Sequence, residues 1–196
     1  GKRFALPLWA EIHPEASTDS RATRLVHIAA GIGLRLRASI FLVLDAFFAV
    51  GPVFRAAAAS NGCLHILTRA KKNVVAYQRP PPPRPRQRGR RRVYGKKLKL
   101  FNLFDTHAGD FRAVEAVVYQ QKDRVRYLVL DLIWKSAGGI LRFFLIETAR
   151  GRLILMTSDL TLDGLQALSL YTARVHIESL FASVKNLLGG LAYHFW

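Results

Sequence analysis

Several things are scarce in this chain of 196 residues, and each scarcity excludes something. There is one cysteine, Cys63, so no internal disulfide and no cysteine-rich zinc site can form. The context NGCLHIL predicts a small buried thiol there, and the lack of disulfides points to a reducing compartment. Long apolar runs are also missing. The longest, SIFLVLDAFFAVGPVF, is interrupted by Asp45 and Pro52 and is shorter than the roughly 20 residues of a spanning helix. The opening GKRFALPLWAEI has no signal-peptide apolar region or cleavage site. Acids are few: 13 Asp and Glu stand against 30 Lys and Arg, a formal charge of +17.

Such a charge calls for polyanionic partners, with nucleic acid first and an anionic membrane surface second. Against the membrane, the densest basic run is rich in proline and adjoins no amphipathic helix. Apolar residues make up 51% of the chain, enough for a real core at this length and too many for a disordered protein.

The order of elements predicts an α/β fold. ATRLVHIAAGIGLRLR reads as a helix, with Leu25, Ile28, Ala29, Ile32 and Leu36 at helical spacing and Gly31 and Gly33 weakening it. SIFLVLD and CLHIL read as buried strands, with a helix over GPVFRAAAASNG between them, so part of the sheet should be parallel. FALPLWA reads as an earlier short strand, and PEASTDSRAT supplies caps. RPPPPRPRQRGRRR carries Arg79, Arg84, Arg86, Arg88, Arg90, Arg91 and Arg92; its prolines favour an extended, solvated loop with a phosphate-binding composition. Short segments rich in aromatic and β-branched residues follow: KKLKLFNLF, FRAVEAVVY, RVRYLVLDLIW, ILRFFLIET and GRLILMTSD. They predict antiparallel strands lying, as an insertion, between the α/β part and a final helix.

Two places carry candidate chemistry. Asp45 ends a buried strand, at the edge where α/β sheets place ligands; alone it also reads as a cap for the helix starting near Gly51. In YTARVHIESLFASVK, the residues Tyr171, Arg174, Glu178 and Lys185 fall within an arc of roughly 60° on a helix. A carboxylate among cations can hold a metal while its neighbours hold a phosphate backbone. The plain alternative is an exposed Arg174–Glu178 ion pair. Asp159, Thr161 and Asp163 read as turn and cap residues before the last helix. Asp131 should face solvent or a basic neighbour. His65 reads as a strand histidine, and Trp134, Phe143 and Phe144 as core.

With these residues in view, the chain resembles the DDE-type insertion-sequence transposases that carry a Y-R-E-K signature. VLDAFFA resembles the segment around the second catalytic Asp, and YTARVHIESLFASVK the segment around the catalytic Glu. VYGKKLKL and TSDLTL also look like parts of these proteins. The resemblance implies a ribonuclease-H-like core with an antiparallel β insertion before the C-terminal catalytic helix. Its parts would be 1–70 (first part of the core), 71–92 (basic Pro/Arg-rich loop), 93–159 (β insertion) and 160–196 (C-terminal helix).

The resemblance also implies a site of two Mg2+ (or Mn2+) ions, with Asp45 and Glu178 as catalytic metal ligands. Tyr171, Arg174 and Lys185 would position phosphates. Arg84, Arg86, Arg88, Arg90, Arg91, Arg92 and Lys96 would bind DNA. The activity would be cleavage at transposon ends and strand transfer, with double-stranded DNA as partner, a homodimer at full length, no membrane, and a cytoplasmic, nucleoid-associated location in a bacterium or archaeon. Nothing upstream of Asp45 fits the first Asp of the triad, so that residue is expected before Gly1, in a chain cut at both ends. Such a fragment is expected to be inactive alone. The alternative is a non-catalytic, basic DNA-binding remnant of a transposase.

Overall fold

Helix α1, Arg21–Leu36, begins where Ser20 caps it: the Ser20 hydroxyl accepts from the Thr23 amide at 3.2 Å, satisfying one of the donors a helix start leaves over. The computed structural model describes residues 20–60, 62–82, 89–118 and 121–174. The face that α1 buries is rotated from the expected one. Val26, Ala29 and Gly33 are its buried positions, while Leu36 is exposed. Gly33 is the reason: a Cβ there would lie 3.3 Å from the carbonyl oxygens of both Ala38 and Cys63. The glycine read as a weak point is therefore one where the helix lies close against the backbone of its neighbours.

Strand β1 (Ile40–Leu44), helix α2 (Gly51–Ala58) and strand β2 (Leu64–Arg69) follow as expected. β1 and β2 pair in parallel, with Ile40 opposite Leu64 and Leu44 opposite Thr68; a crossover helix between them makes that direction possible. Pro52 sits in the first turn of α2, where no amide is needed. Cys63 is half-buried rather than buried, because it lies in the turn before β2, where its thiol donates to the Ser60 carbonyl at 3.0 Å.

The remaining strands are β3 (Val75–Tyr77), β4 (Lys97–Lys99), β5 (Arg112–Val118), β6 (Gln121–Trp134), β7 (Gly139–Thr148) and β8 (Gly151–Thr157). Between β4 and β5 lies a short helix, α3 (Leu103–Thr106), so only the first part of KKLKLFNLF is a strand. β3 falls inside the stretch expected to be loop. The proline and arginine content that follows it masks a brief apolar run, VVAY, whose Val74 and Ala76 are buried. The last described element is helix α4, Gly164–Ala173, capped by the Asp163 carboxylate, which accepts from the Leu165 amide at 2.9 Å.

The eight strands among the described residues share one sheet, in the order β1-β2-β8-β7-β6-β3-β4, with β5 paired to β6. β8 joins β2 antiparallel, Leu67 opposite Thr157 and Arg69 opposite Leu155. The strands expected as an insertion thus extend the sheet of the α/β part rather than forming a separate one. Period-two alternation sorts their side chains to two faces. One face carries Ile66, Phe143, Leu145 and Met156 against α1 and α2, with Val26, Val53 and Phe54. The other carries Leu67, Phe144, Ile146 and Leu155 against α4, with Leu168 and Tyr171. Phe143 and Phe144 accordingly enter opposite cores, and Trp134 meets Phe54 edge to face at 5.5 Å.

Phe143 is fully buried, so Phe143→Ala is expected to lower unfolding stability by about 3–5 kcal/mol. Urea titration followed by far-ultraviolet circular dichroism measures it; a loss below 1 kcal/mol would mean that the α1–α2 face is not a packed core.

Candidate active site

Asp45 leaves β1 in extended backbone, φ −81° and ψ 167°. Ile40, Leu42 and Leu44 pack toward α1 and α2, whereas Phe41 and Val43 pack toward α4. Continued by one residue, this alternation directs Asp45 to the α4 face. Its position is fixed twice. The Thr68 hydroxyl, fully buried, donates to the Asp45 carbonyl oxygen at 2.8 Å. The Asp45 Oδ1 accepts from the Ala46 amide at 2.8 Å, capping the short 3-10 turn Ala46–Phe48 rather than the helix at Gly51. The carboxylate itself is exposed. Two residues on stands Phe47, 77% exposed, an apolar ring beside the acid that the sequence had not marked.

Arg69 was also missed. Since Leu44 lies opposite Thr68 in the parallel register, the next residues, Asp45 and Arg69, leave neighbouring strands side by side. Arg69 is the last residue of β2, and only the register of β1 and β2 makes it a neighbour of Asp45. Arg69 helps line a hollow of about 160 Å3 with Arg150, Arg152, Thr148, Leu168 and Tyr171. Tyr171 is only 8% exposed, so its ring is a wall of this hollow and part of the α4 core more than a free contact. The Arg174 guanidinium lies 5.8 Å from the Tyr171 ring centroid, within cation–π range. α4 therefore runs toward the edge of the sheet at which Asp45 emerges, and ends there with an arginine backed by a tyrosine.

Of the other expected site residues, Arg90, Arg91, Arg92 and Lys96 are exposed in the segment between β3 and β4. Glu178, Lys185, Arg84, Arg86 and Arg88 lie outside the described residues. An exposed carboxylate with one oxygen engaged by an amide is a hard donor suited to a divalent cation such as Mg2+. Among the described residues no group of three His, Cys, Asp or Glu side chains converges to hold a metal, and Asp45's expected co-ligand, Glu178, is not among them.

Several of the other described carboxylates have structural work. Arg142 makes a two-pronged bridge to Asp131, Nε to Oδ1 at 2.7 Å and Nη2 to Oδ2 at 2.8 Å, and its Nη1 donates to the Leu162 carbonyl at 3.2 Å. That last bond ties the β6–β7 pair to the turn from which α4 starts. The hydrogen bond and charge of Asp131 raise the Arg142 pKa further against the cost of burial. Asp159 Oδ1 accepts from the Thr161 amide at 2.8 Å and its hydroxyl at 2.7 Å, as expected of a turn. Burial pushes the Asp159 carboxyl up, but the Thr161 hydrogen bonds, the His65 charge and the Leu162 amide together hold it below its ordinary 3.8.

A family profile described as the transposase DDE domain matches residues 2–195. This chain belongs to the transposase DDE domain family. At family level it is a transposase or nuclease-type protein of DNA transposition and recombination, a family that works on DNA and generally uses divalent metal. No curated protein matches the chain. Among the described residues no helix is long and apolar enough to cross a membrane.

Arg142→Leu is expected to destabilise the fold by about 1–3 kcal/mol, because Asp131 is left without its donor pair; an unchanged denaturation midpoint would show that the bridge does not hold α4. Asp159 has a depressed pKa when folded, so its contribution is present above the unfolded value and is lost as pH falls through the folded one. The stability gap between wild type and Asp159→Ala should therefore be full at pH 7 and should close as pH falls below about 3.8. Thermal melts at pH 7, 5, 4 and 3 measure this, and a gap that stays constant would remove the carboxylate from the account.

Proposed function

We propose that this chain is part of the catalytic domain of a DNA transposase, with a ribonuclease-H-like core formed by 1–70 and 160–196. Residues 93–159 would be its β insertion and the basic stretch in 71–92 a DNA contact. The proposed reaction is metal-dependent phosphodiester cleavage at transposon ends, followed by strand transfer. One observation supports this above the others: Asp45 leaves β1 on the α4 face, at the same sheet edge as the end of α4, where Tyr171 and Arg174 stand.

In this reading Asp45 and Glu178 hold the divalent cations, Mg2+ or Mn2+. A bound pair would activate the attacking oxygen and stabilise the leaving one. The residues of the chain supply placement. Thr68 holds the Asp45 backbone through its carbonyl oxygen, and the Ala46 amide engages Oδ1 of its side chain, so less ordering is left for the moment of binding. Arg174 offers a planar fork suited to two oxygens of one phosphate, and the Tyr171 ring beneath it limits its rotamers. Lys185 adds a point charge farther along the same stripe. Arg69 and Phe47, beside Asp45, could take the next phosphate and an adjoining base face. Arg84, Arg86, Arg88, Arg90, Arg91, Arg92 and Lys96 would hold duplex away from the cut, through phosphates and hence without regard to sequence.

Binding of Mn2+ tests the reading without requiring turnover. With a short duplex present, the wild-type chain should bind Mn2+ in electron paramagnetic resonance titrations. Asp45→Asn and Glu178→Gln should each weaken that binding at least tenfold. Without metal, both variants should bind DNA as tightly as wild type or more so, since a negative charge facing phosphates is removed. Equal Mn2+ affinity in all three proteins would overturn the assignment of these carboxylates.

A further inference from the structure

A hollow of about 310 Å3 lies where the turn after β2, the β6–β7 turn and the segment leading into α2 come together. Its apolar lining includes Ala49, Ala70, Val74, Trp134 and Met156, which pack with the core on the α1–α2 side. Among the described residues the lining holds no acid, and its two cations are Lys71 and Lys135. Lys71 comes from the turn after β2 and Lys135 from the β6–β7 turn. Both are exposed, and among the described residues neither has an ion-pair partner. Two cations from separate turns thus border an apolar hollow without a counter-charge.

Trp134 adds a donor. Its residue is 9% exposed. Among the described residues its indole N–H has no acceptor, and no buried side-chain nitrogen is left unsatisfied. That N–H therefore keeps access to solvent on a side chain that lines the hollow. The walls are held in place without a ligand. The Val74 amide donates to the Lys71 carbonyl at 3.0 Å, closing one turn, and the Ala137 and Gly138 amides each donate to the Trp134 carbonyl at 3.1 Å, closing the other. The Arg55 guanidinium donates to the Ser136 carbonyl, and α2 starts so close to that carbonyl that Gly51 leaves no room for a Cβ. A hollow with fixed walls loses little freedom when it is filled. Its volume is at the small end of ligand sites, roughly 300–1,000 Å3, and a double helix cannot enter it.

We propose that this hollow is a binding site for a small aromatic carboxylate. The flat ring lies against Trp134 and the aliphatic wall of Ala49, Val74 and Val75, where an aromatic group gains most from leaving water. The carboxylate supplies the missing counter-charge to Lys71 and Lys135 and can accept from the Trp134 N–H. The site is independent of the proposed cleavage reaction and of its metal.

Isothermal titration calorimetry in low-salt buffer tests it on the chain as it stands, with 1-naphthoate and with 1-naphthalenemethanol, a neutral molecule of similar shape. Wild type should bind naphthoate about tenfold more tightly than the alcohol, since each exposed charge contributes modestly. Lys71→Gln/Lys135→Gln should remove that preference and leave the affinity for the alcohol in place. Lys122→Gln/Arg124→Gln removes two charges from exposed positions on β6; it should keep the preference and so controls for net charge. Ala49→Leu should fill the hollow and weaken both ligands about tenfold or more. Thermal melts show which variants are folded, and the lysine pair, being exposed, decides the matter where Ala49→Leu does not fold. Wild type that binds both ligands equally, or neither, overturns the site. So does a lysine pair that binds naphthoate as tightly as the control pair does, or a folded Ala49→Leu with full affinity for both.

Discussion

The antiparallel join between β2 and β8 is the constraint on which the rest of this structure depends. β2 already pairs with β1 on its other side, so accepting β8 makes it an interior strand and carries the sheet onward through β7 and β6. The join is short, Leu67 to Arg69 against Leu155 to Thr157, and is reinforced at its ends. The Ala70 amide donates to Ile154 at 2.8 Å, and the Ile66 amide donates to the Ser158 hydroxyl at 3.0 Å. Both cores need it, since Met156 faces α1 and α2 while Leu155 faces α4. The placement of α4 follows too: the chain leaves β8 and reaches Asp163 within a few residues, so the join determines where α4 starts relative to β1 and Asp45.

Charge is sorted by the same sheet. One row across β6, β7 and β8 sets Arg126, Glu147 and Arg152 side by side. Glu147 accepts from Arg126 at 2.8 Å and from Arg152 at 3.0 Å, and Arg152 reaches on to Asp105 at 2.8 Å. Arg126 and Arg152 also lie over the rings of Phe111 and Phe104, at 5.5 and 5.2 Å. Planar guanidinium groups can bridge and stack at once, which ammonium groups do poorly. The net charge of +17 therefore has two components. Some arginines are part of the fabric, while the lysines at 71, 72, 96, 97 and 99 are exposed and belong to a region without acids.

Much of this was legible in the sequence because the relevant signals are local. The run SIFLVL, the helix over GPVFRAAA and the run CLHIL specified a parallel pair, since each element announces itself by its own pattern. Asp159 as a turn residue, Asp163 as a cap and Asp131 beside a basic neighbour were likewise readable, because each is decided within a few residues or by a facing strand. What was not legible was set by distance along the chain. The buried face of α1 depends on Gly33 meeting Ala38 and Cys63. Arg69 becomes a neighbour of Asp45 only through register. The short β3 is specified by its partners at Lys97–Lys99 and Ile133, not by its composition. The continuity of one sheet through β2 and β8 likewise leaves no trace in either segment read alone.

The carboxylates sharpen the reading of the site. Asp105, Asp131 and Glu147 are neutralised by arginines, and Asp123, Asp159 and Asp163 accept from backbone amides that organise turns and a helix start. Asp45 also accepts an amide, but at an exposed sheet edge with Arg69 alongside on β2 and Arg174 at the end of α4. An acid placed there repels the phosphates that its cationic neighbours attract, so by itself it weakens the binding of DNA. Under the proposed function, a divalent cation on the carboxylate would reverse that sign and turn the repulsive element into an attractive one. In a family that works on DNA and generally uses divalent metal, the proposed role would give Asp45 a physical reason to stand at this edge.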